Sequence, residues 1–170
     1  MKYLIVVDMQ VDFITGSLGS DLATAIVPNV VEKVKNFDGK VIFTRDTHYD
    51  DYLQTQEGRK LPVVHCVKDT PGWQICEELR PFVTTVVDKE TFGSVDLPQM
   101  IGDDGQPIDE IELCGLCTDI CVVSNALILK AAFPEKEIYV DAACCAGVTV
   151  ESHNAALTTM KMCQINIIGV

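Results

Sequence analysis

The sequence predicts an α/β fold: a single-domain, Rossmann-like parallel sheet with helices on both faces. Three observations predict it. Short apolar runs end in charged or polar residues, as buried parallel strands do. Segments of helical period separate those runs, which is the pattern of repeated βαβ units. The length of 170 residues fits one domain covering the whole chain, residues 1–170, and shows no linker, internal repeat or low-complexity stretch.

Taken in order, Lys2–Asp8 (KYLIVVD) is a nearly continuous apolar run closed by a carboxylate and reads as the first strand. Asp21–Asn36 places Leu22, Ile26, Val30, Val31 and Val34 on or near one helical face. Gly39 precedes a second strand, Lys40–Arg45, and Thr84–Asp88 and Glu110–Cys114 follow as two more. Asp119–Phe133 reads as a helix, Glu137–Asp141 as a strand, Val150–Met162 as a helix and Gln164–Val170 as a last strand. Asp46–Gly72 and Lys89–Asp109 have no clear period, and long irregular stretches in a compact domain are usually functional or mobile.

Composition excludes several function classes. A formal net charge of -12 with no run of Lys or Arg argues against nucleic acid and anionic membrane as partners. No stretch approaches the ~20 apolar residues of a membrane helix, and the opening run lacks a basic leader and a small-residue cleavage site. A cytoplasmic, reducing compartment is therefore expected. There, Cys114, Cys144, Cys145 and Cys163, all in apolar contexts, read as buried thiols rather than disulfides.

In an open α/β sheet the site lies at the carboxyl ends of the strands. Asp8, Asp46 with His48, Lys89 and the turn Gly115–Cys121 all fall just after expected strands, so one rule gathers them into one cleft. In Cys114-Gly-Leu-Cys117-Thr-Asp-Ile-Cys121 a strand turns tightly into a helix. A thiol in a first helical turn meets free N–H groups that favour the thiolate and can hold an oxyanion. Cys117 and Cys121 both qualify. The same cysteines, with Cys114, have spacings known around metals and iron–sulfur clusters, although no fourth ligand is spaced to complete such a set. Asp8 is either a cap or an acid/base held in a cleft, and Lys89 alone would read as a solvated lysine. Together, a carboxylate, a cation and a thiol at three strand ends can form an activated nucleophile.

Asp46, His48, Glu57 and His65 make a further group: two imidazoles and two carboxylates suit zinc, iron(II) or manganese(II) and leave positions open. The competing reading is ordinary polar loop residues. His153 reads as a surface or helix-packing residue.

Several segments resemble one family, the isochorismatase-like cysteine hydrolases, and within it the nicotinamidase branch. They are Leu4-Ile-Val-Val-Asp8-Met-Gln-Val-Asp-Phe13, Arg45-Asp-Thr-His48 with His65-Cys66, Lys89-Glu-Thr-Phe92-Gly-Ser, and Cys114 through Val122. The resemblance implies hydrolysis of nicotinamide to nicotinic acid and ammonia through a cysteine thioester, a step of pyridine nucleotide salvage. A different small amide or an enol ether is the alternative substrate. It implies Cys121 as nucleophile, Asp8 as proton acceptor and later donor, and Lys89 as the thiolate-stabilising cation. It also implies a cis peptide between Leu116 and Cys117, with the backbone N–H groups of Cys117 and Cys121 as oxyanion hole. Asp46, His48 and His65, with Glu57 in fourth place, match the ligands of one divalent metal ion, zinc foremost, with iron or manganese as alternatives. Phe13 matches an aromatic that stacks on the substrate ring; Leu61 and Phe92 are candidates for the pocket wall. Trp73 does not align to the second face of that ring and is expected to pack. The partners implied are a small-molecule amide and further copies of the chain in a homo-oligomer.

Overall fold

The computed structural model describes residues 1–170. Six strands form one parallel sheet: β1 (Lys2–Val7), β2 (Lys40–Asp46), β3 (Val86–Lys89), β4 (Glu110–Leu116), β5 (Glu137–Ala146) and β6 (Asn166–Ile168). Their order is β3-β2-β1-β4-β5-β6. Leu4 to Val7, in the central strand, are wholly buried, as a continuous apolar run between two helical layers requires.

The helices are α1 (Val11–Ile14), α2 (Asp21–Asn36), α3 (Gln56–Lys60), α4 (Asp96–Asp103), α5 (Val123–Ala132) and α6 (Val150–Met162). The Ser20 hydroxyl caps α2 by accepting from Ala23 N at 3.1 Å, and a reciprocal Thr149–Ser152 capping box starts α6. Helix α2 packs on β4 and β5, whereas α5 contacts both α4 and α6. Right-handed crossovers put these two groups on opposite faces, because strand order runs one way from β1 to β3 and the other way from β4 to β6. The reversal falls between β1 and β4, where a doubly wound sheet opens its crevice.

Both long helices anticipated by period, Asp21–Asn36 and Val150–Met162, have those limits in the structure. Elsewhere the sequence expectations need correction. Helix α4 lies inside a segment read as irregular: Pro98 and Gly102 obscure the pair Leu97 and Ile101, which are spaced i, i+4 and both fully buried. Helix α3 and the 3₁₀ turn Tyr52–Gln54 give local order to the other such segment. The helix expected from Asp119 begins instead as an i→i+5 turn over Thr118–Val122, with Val122 N donating to Cys117 O at 3.1 Å, before α5 starts. Strand β5 continues five residues beyond Asp141, so Cys144 and Cys145 are strand residues. Cys163, expected to be buried, is exposed just after α6. All eight cysteines are free. No helix is long and apolar enough to cross a membrane.

Two backbone features shape the crevice. Asp8, directly after β1, lies in the left-handed region (φ 46°), and its carbonyl accepts from Gln10 N at 2.7 Å, turning the chain sharply. Gly115 has φ 116°, and a Cβ there would meet Val7 O at 2.1 Å, so only glycine lets β4 run this close to the end of β1.

Candidate active site

Asp8, Lys89 and Cys121 meet at the carboxyl edge of the sheet, each at most 4% exposed. Parallel register sets Lys89 of β3 beside Asp46 of β2. Lys89 Nζ then reaches Asp8 Oδ2 at 2.6 Å, Cys121 Sγ at 3.5 Å, Asp46 Oδ1 at 3.5 Å and Thr91 O at 3.2 Å. A buried ammonium is tolerated because opposite charge and acceptors surround it. Burial works to lower the Lys89 pKa, but Asp8, Cys121 and Asp46 outweigh it and raise it.

Burial raises the Asp8 pKa against the pull of Lys89. Burial also pushes the Cys121 thiol up, the Asp8 charge adds to the rise, and Lys89 opposes it. Burial and the free N–H groups of the turn therefore act in opposite senses on the thiol, and a nearby base is placed to accept its proton. Asp8 is a carboxylate made more basic by the same burial.

The Leu116–Cys117 peptide is cis. Cys117 enters the turn in an extended conformation (φ -88°, ψ 148°). Its thiol is pushed up to about 12 by burial. Cys114 is wholly buried within β4. The residues that converge as a ligand set are instead Asp46, His48, Glu57 and His65, and the thiol-cluster alternative receives no support.

One ligand atom from each of these four lies within 4.8 Å of the others. His48 Nε2 stands 2.9 Å from Asp46 Oδ2 and 3.6 Å from Glu57 Oε1. His65 Nε2 stands 3.5 Å and 3.7 Å from the same two oxygens. Donors about 2.1 Å from one ion are separated by roughly 3.0 Å at right angles and roughly 3.4 Å at a tetrahedral angle, so this spacing fits a divalent cation. His65 Nδ1 is fixed by Val63 O at 2.7 Å, which orients Nε2 inward. Burial opposes the ionised Asp46, but bonds to His48 and His65, with Lys89, hold its carboxyl well below the usual range. Burial raises the Glu57 pKa, and the Asp46 charge adds to the rise.

A cavity of about 690 Å³ joins the two groups. Phe13, Leu61 and Phe92 all line it, together with Asp46, Glu57, His65, Cys117 and Cys121. The Phe13 ring lies 5.5 Å from that of His65. Trp73 packs as expected: it is buried, its indole donates to Thr47 Oγ1 at 2.9 Å, and the Arg45 guanidinium covers its ring at 3.5 Å. His153 pairs with the Thr118 hydroxyl at 2.7 Å, a packing role between α6 and the turn.

Three supporting residues escaped the sequence reading. The Thr44 hydroxyl donates to Asp8 Oδ1 at 2.6 Å and accepts from Asp8 N at 3.2 Å. The Gln10 side chain bonds both backbone groups of Asp46, accepting from N at 2.7 Å and donating to O at 2.9 Å. Tyr52 sets its ring 4.6 Å from His48 and 5.0 Å from His65 and donates to Leu61 O at 2.8 Å. Thr44 and Gln10 are wholly buried, but that burial shows only once the strands are assembled, so the sequence carried no specific signal for them.

Comparison with known proteins adds four findings. A family model described as the Isochorismatase domain matches residues 2–170. The nicotinamidase/pyrazinamidase of Mycobacterium tuberculosis is 26% identical over 191 residues, covering 99% of this chain and 98% of that protein. Among solved structures, the pyrazinamidase of Pyrococcus horikoshii in complex with zinc superposes with a TM-score of 0.83 at 28% identity, covering 99% of each chain. The nicotinamidase of Bacillus subtilis does so with a TM-score of 0.83 at 26% identity, covering 98% of each.

Proposed function

The chain belongs to the isochorismatase family, and from that premise we propose that it is a cysteine-dependent amidohydrolase converting nicotinamide to nicotinic acid and ammonia. One observation carries the reading: Lys89 Nζ lies 2.6 Å from Asp8 and 3.5 Å from Cys121, beside the cavity whose wall carries Asp46, Glu57 and His65 of the metal-donor group.

Asp46, His48, Glu57 and His65 would hold one divalent ion, zinc foremost, which when bound supplies a Lewis-acidic contact for a ring nitrogen. Phe13, Leu61 and Phe92 bind the ring. The Cys121 thiol passes its proton to Asp8, and the sulfur attacks the carboxamide carbon. Lys89 stabilises the thiolate as it forms. The N–H groups of Cys117 and Cys121 face the developing oxyanion. Asp8 then gives its proton to the departing ammonia, leaving a thioester. The same carboxylate takes a proton from water, whose oxygen attacks the thioester and frees the acid and the thiol.

The names of the relatives support the substrate class. The metal donors support a substrate with a ring nitrogen over one without. The cavity volume lies mid-range for small-molecule sites of about 300–1,000 Å³, which keeps a different small amide or an enol ether as the second reading. Residues 1–170 act as one catalytic unit, and the reading includes a homo-oligomer, measurable by light scattering.

The test is ammonia release from nicotinamide by purified protein before and after chelation. Release that falls on chelation and returns with zinc, iron or manganese is expected. No release from metal-replete protein sinks nicotinamide as the substrate.

A further inference from the structure

Asn125 sits in the first turn of α5, four residues after Cys121, and is wholly buried. Asparagine is a poor helix former, and a buried amide costs free energy unless its bonds are made. Here they are made to two separate segments. Its Nδ2 donates to Cys121 O at 2.8 Å and to Phe92 O at 3.3 Å. Its Oδ1 accepts from Ser94 N at 2.9 Å. The loop after β3 lies flat against α5 at this point: a Cβ on Gly93 would come within 2.5 Å of Ile128 Cδ1 and 3.1 Å of the Ser124 backbone.

That loop begins at Lys89, whose ammonium also donates to Thr91 O. The turn on the other side carries Cys121. Apart from the Lys89–Cys121 contact itself, the Asn125 amide supplies the hydrogen bonds that tie the Phe92–Ser94 backbone to the cysteine turn. A leucine could fill the same space; the amide does something a leucine cannot, which is to fix one backbone relative to the other.

We infer that Asn125 is a positioning residue that sets the Cys121 sulfur against the Lys89 ammonium. The inference rests on the reading of Cys121 as nucleophile, and it acts through Cys121 and Lys89 rather than on the substrate. An error of about 1 Å in such a pair is enough to cost a large factor in rate. Asn125→Ala removes all three bonds. Asn125→Asp keeps the size and the acceptor for Ser94 N but turns a carboxylate oxygen toward two carbonyls.

Two readouts separate positioning from plain stability: kcat and KM for nicotinamide, and the rate at which iodoacetamide alkylates Cys121, followed on the Cys121 peptide by mass spectrometry. Both are expressed per folded molecule. In both variants kcat should fall roughly tenfold or more, with KM within about twofold, and alkylation of Cys121 should change by a similar factor while that of exposed Cys163 stays constant. Alkylation and kcat both within about twofold of wild type would overturn the inference. So would a rise in KM alone, which would assign Asn125 to the Phe92 wall, or failure of both variants to fold. The alkylation arm needs no substrate, so an inactive wild-type protein would count against nicotinamide without touching this inference.

Discussion

Replacing Thr44 by valine removes one hydroxyl from beneath Asp8 and leaves the shape of β2 nearly unchanged. The hydroxyl is wholly buried and donates to Asp8 Oδ1 at 2.6 Å. A bond to an ionised carboxylate contributes about 1.5–3 kcal/mol. At about 1.4 kcal/mol per pKa unit, its loss should raise the Asp8 pKa by roughly one to two units beyond the rise that burial already causes. Cleavage needs Asp8 free to accept the thiol proton, so the acid limb of kcat/KM for ammonia release should move to higher pH by that amount. Stability carries the same sign. Asp8 already has a folded-state pKa above its unfolded value, so its contribution to stability is lost as pH rises through the folded pKa. Thr44→Val enlarges that loss at neutral pH and shrinks it in acid, below the unfolded carboxylate pKa. The Asp8 N–H also loses its hydroxyl acceptor, a pH-independent cost of about 1 kcal/mol. The assays are kcat/KM against pH and denaturant unfolding at acid and neutral pH. An acid limb that stays where the wild type has it would refute the assignment of that limb to Asp8.

Other perturbations follow from the same geometry. Lys89→Met leaves the Asp8 carboxylate buried and unpaired; unfolding stability should drop by about 3–5 kcal/mol and kcat by a factor of 100 or more, on the order expected for a lost buried charge. Free zinc at about one hundred times Kd should add about 2.7 kcal/mol of stability, read as a higher melting temperature. In Asp46→Asn with His65→Ala that shift should vanish, and a shift of wild-type size would remove the metal site. Phe13→Ala should raise KM about tenfold with little change in kcat, as loss of an aromatic contact does; an unchanged KM would take Phe13 out of the ring site.

Much of this architecture was legible in the chain because the physics there is local. The run through Leu4-Ile-Val-Val can only be a strand buried on both sides, and the period of Asp21–Asn36 is helical over four turns. The placing of Asp8, Asp46, Lys89 and Cys121 in one cleft followed from the strand-end rule, and β2–β3 register then set Lys89 beside Asp46. What stayed hidden depends on contacts between distant segments. Thr44 looks like any threonine in a strand until β1 and β2 align it under Asp8. Asn125 looks like a helix-interior polar residue until the Phe92–Ser94 backbone folds against it. Helix α4 was masked by Pro98 and Gly102, whose local costs are offset by burying Leu97 and Ile101. The burial that raises the Cys121 pKa likewise depends on cavity walls from distant segments, whereas the helix start is a local feature.

The most direct measurement is rapid acid quenching of the metal-replete protein during turnover of nicotinamide, followed by mass spectrometry of its peptides. A single nicotinoyl group on the Cys121 peptide, present in wild type and absent in Cys121→Ala, is the predicted result. Turnover with no acyl group on any cysteine, or undiminished turnover by Cys121→Ala, would contradict the account.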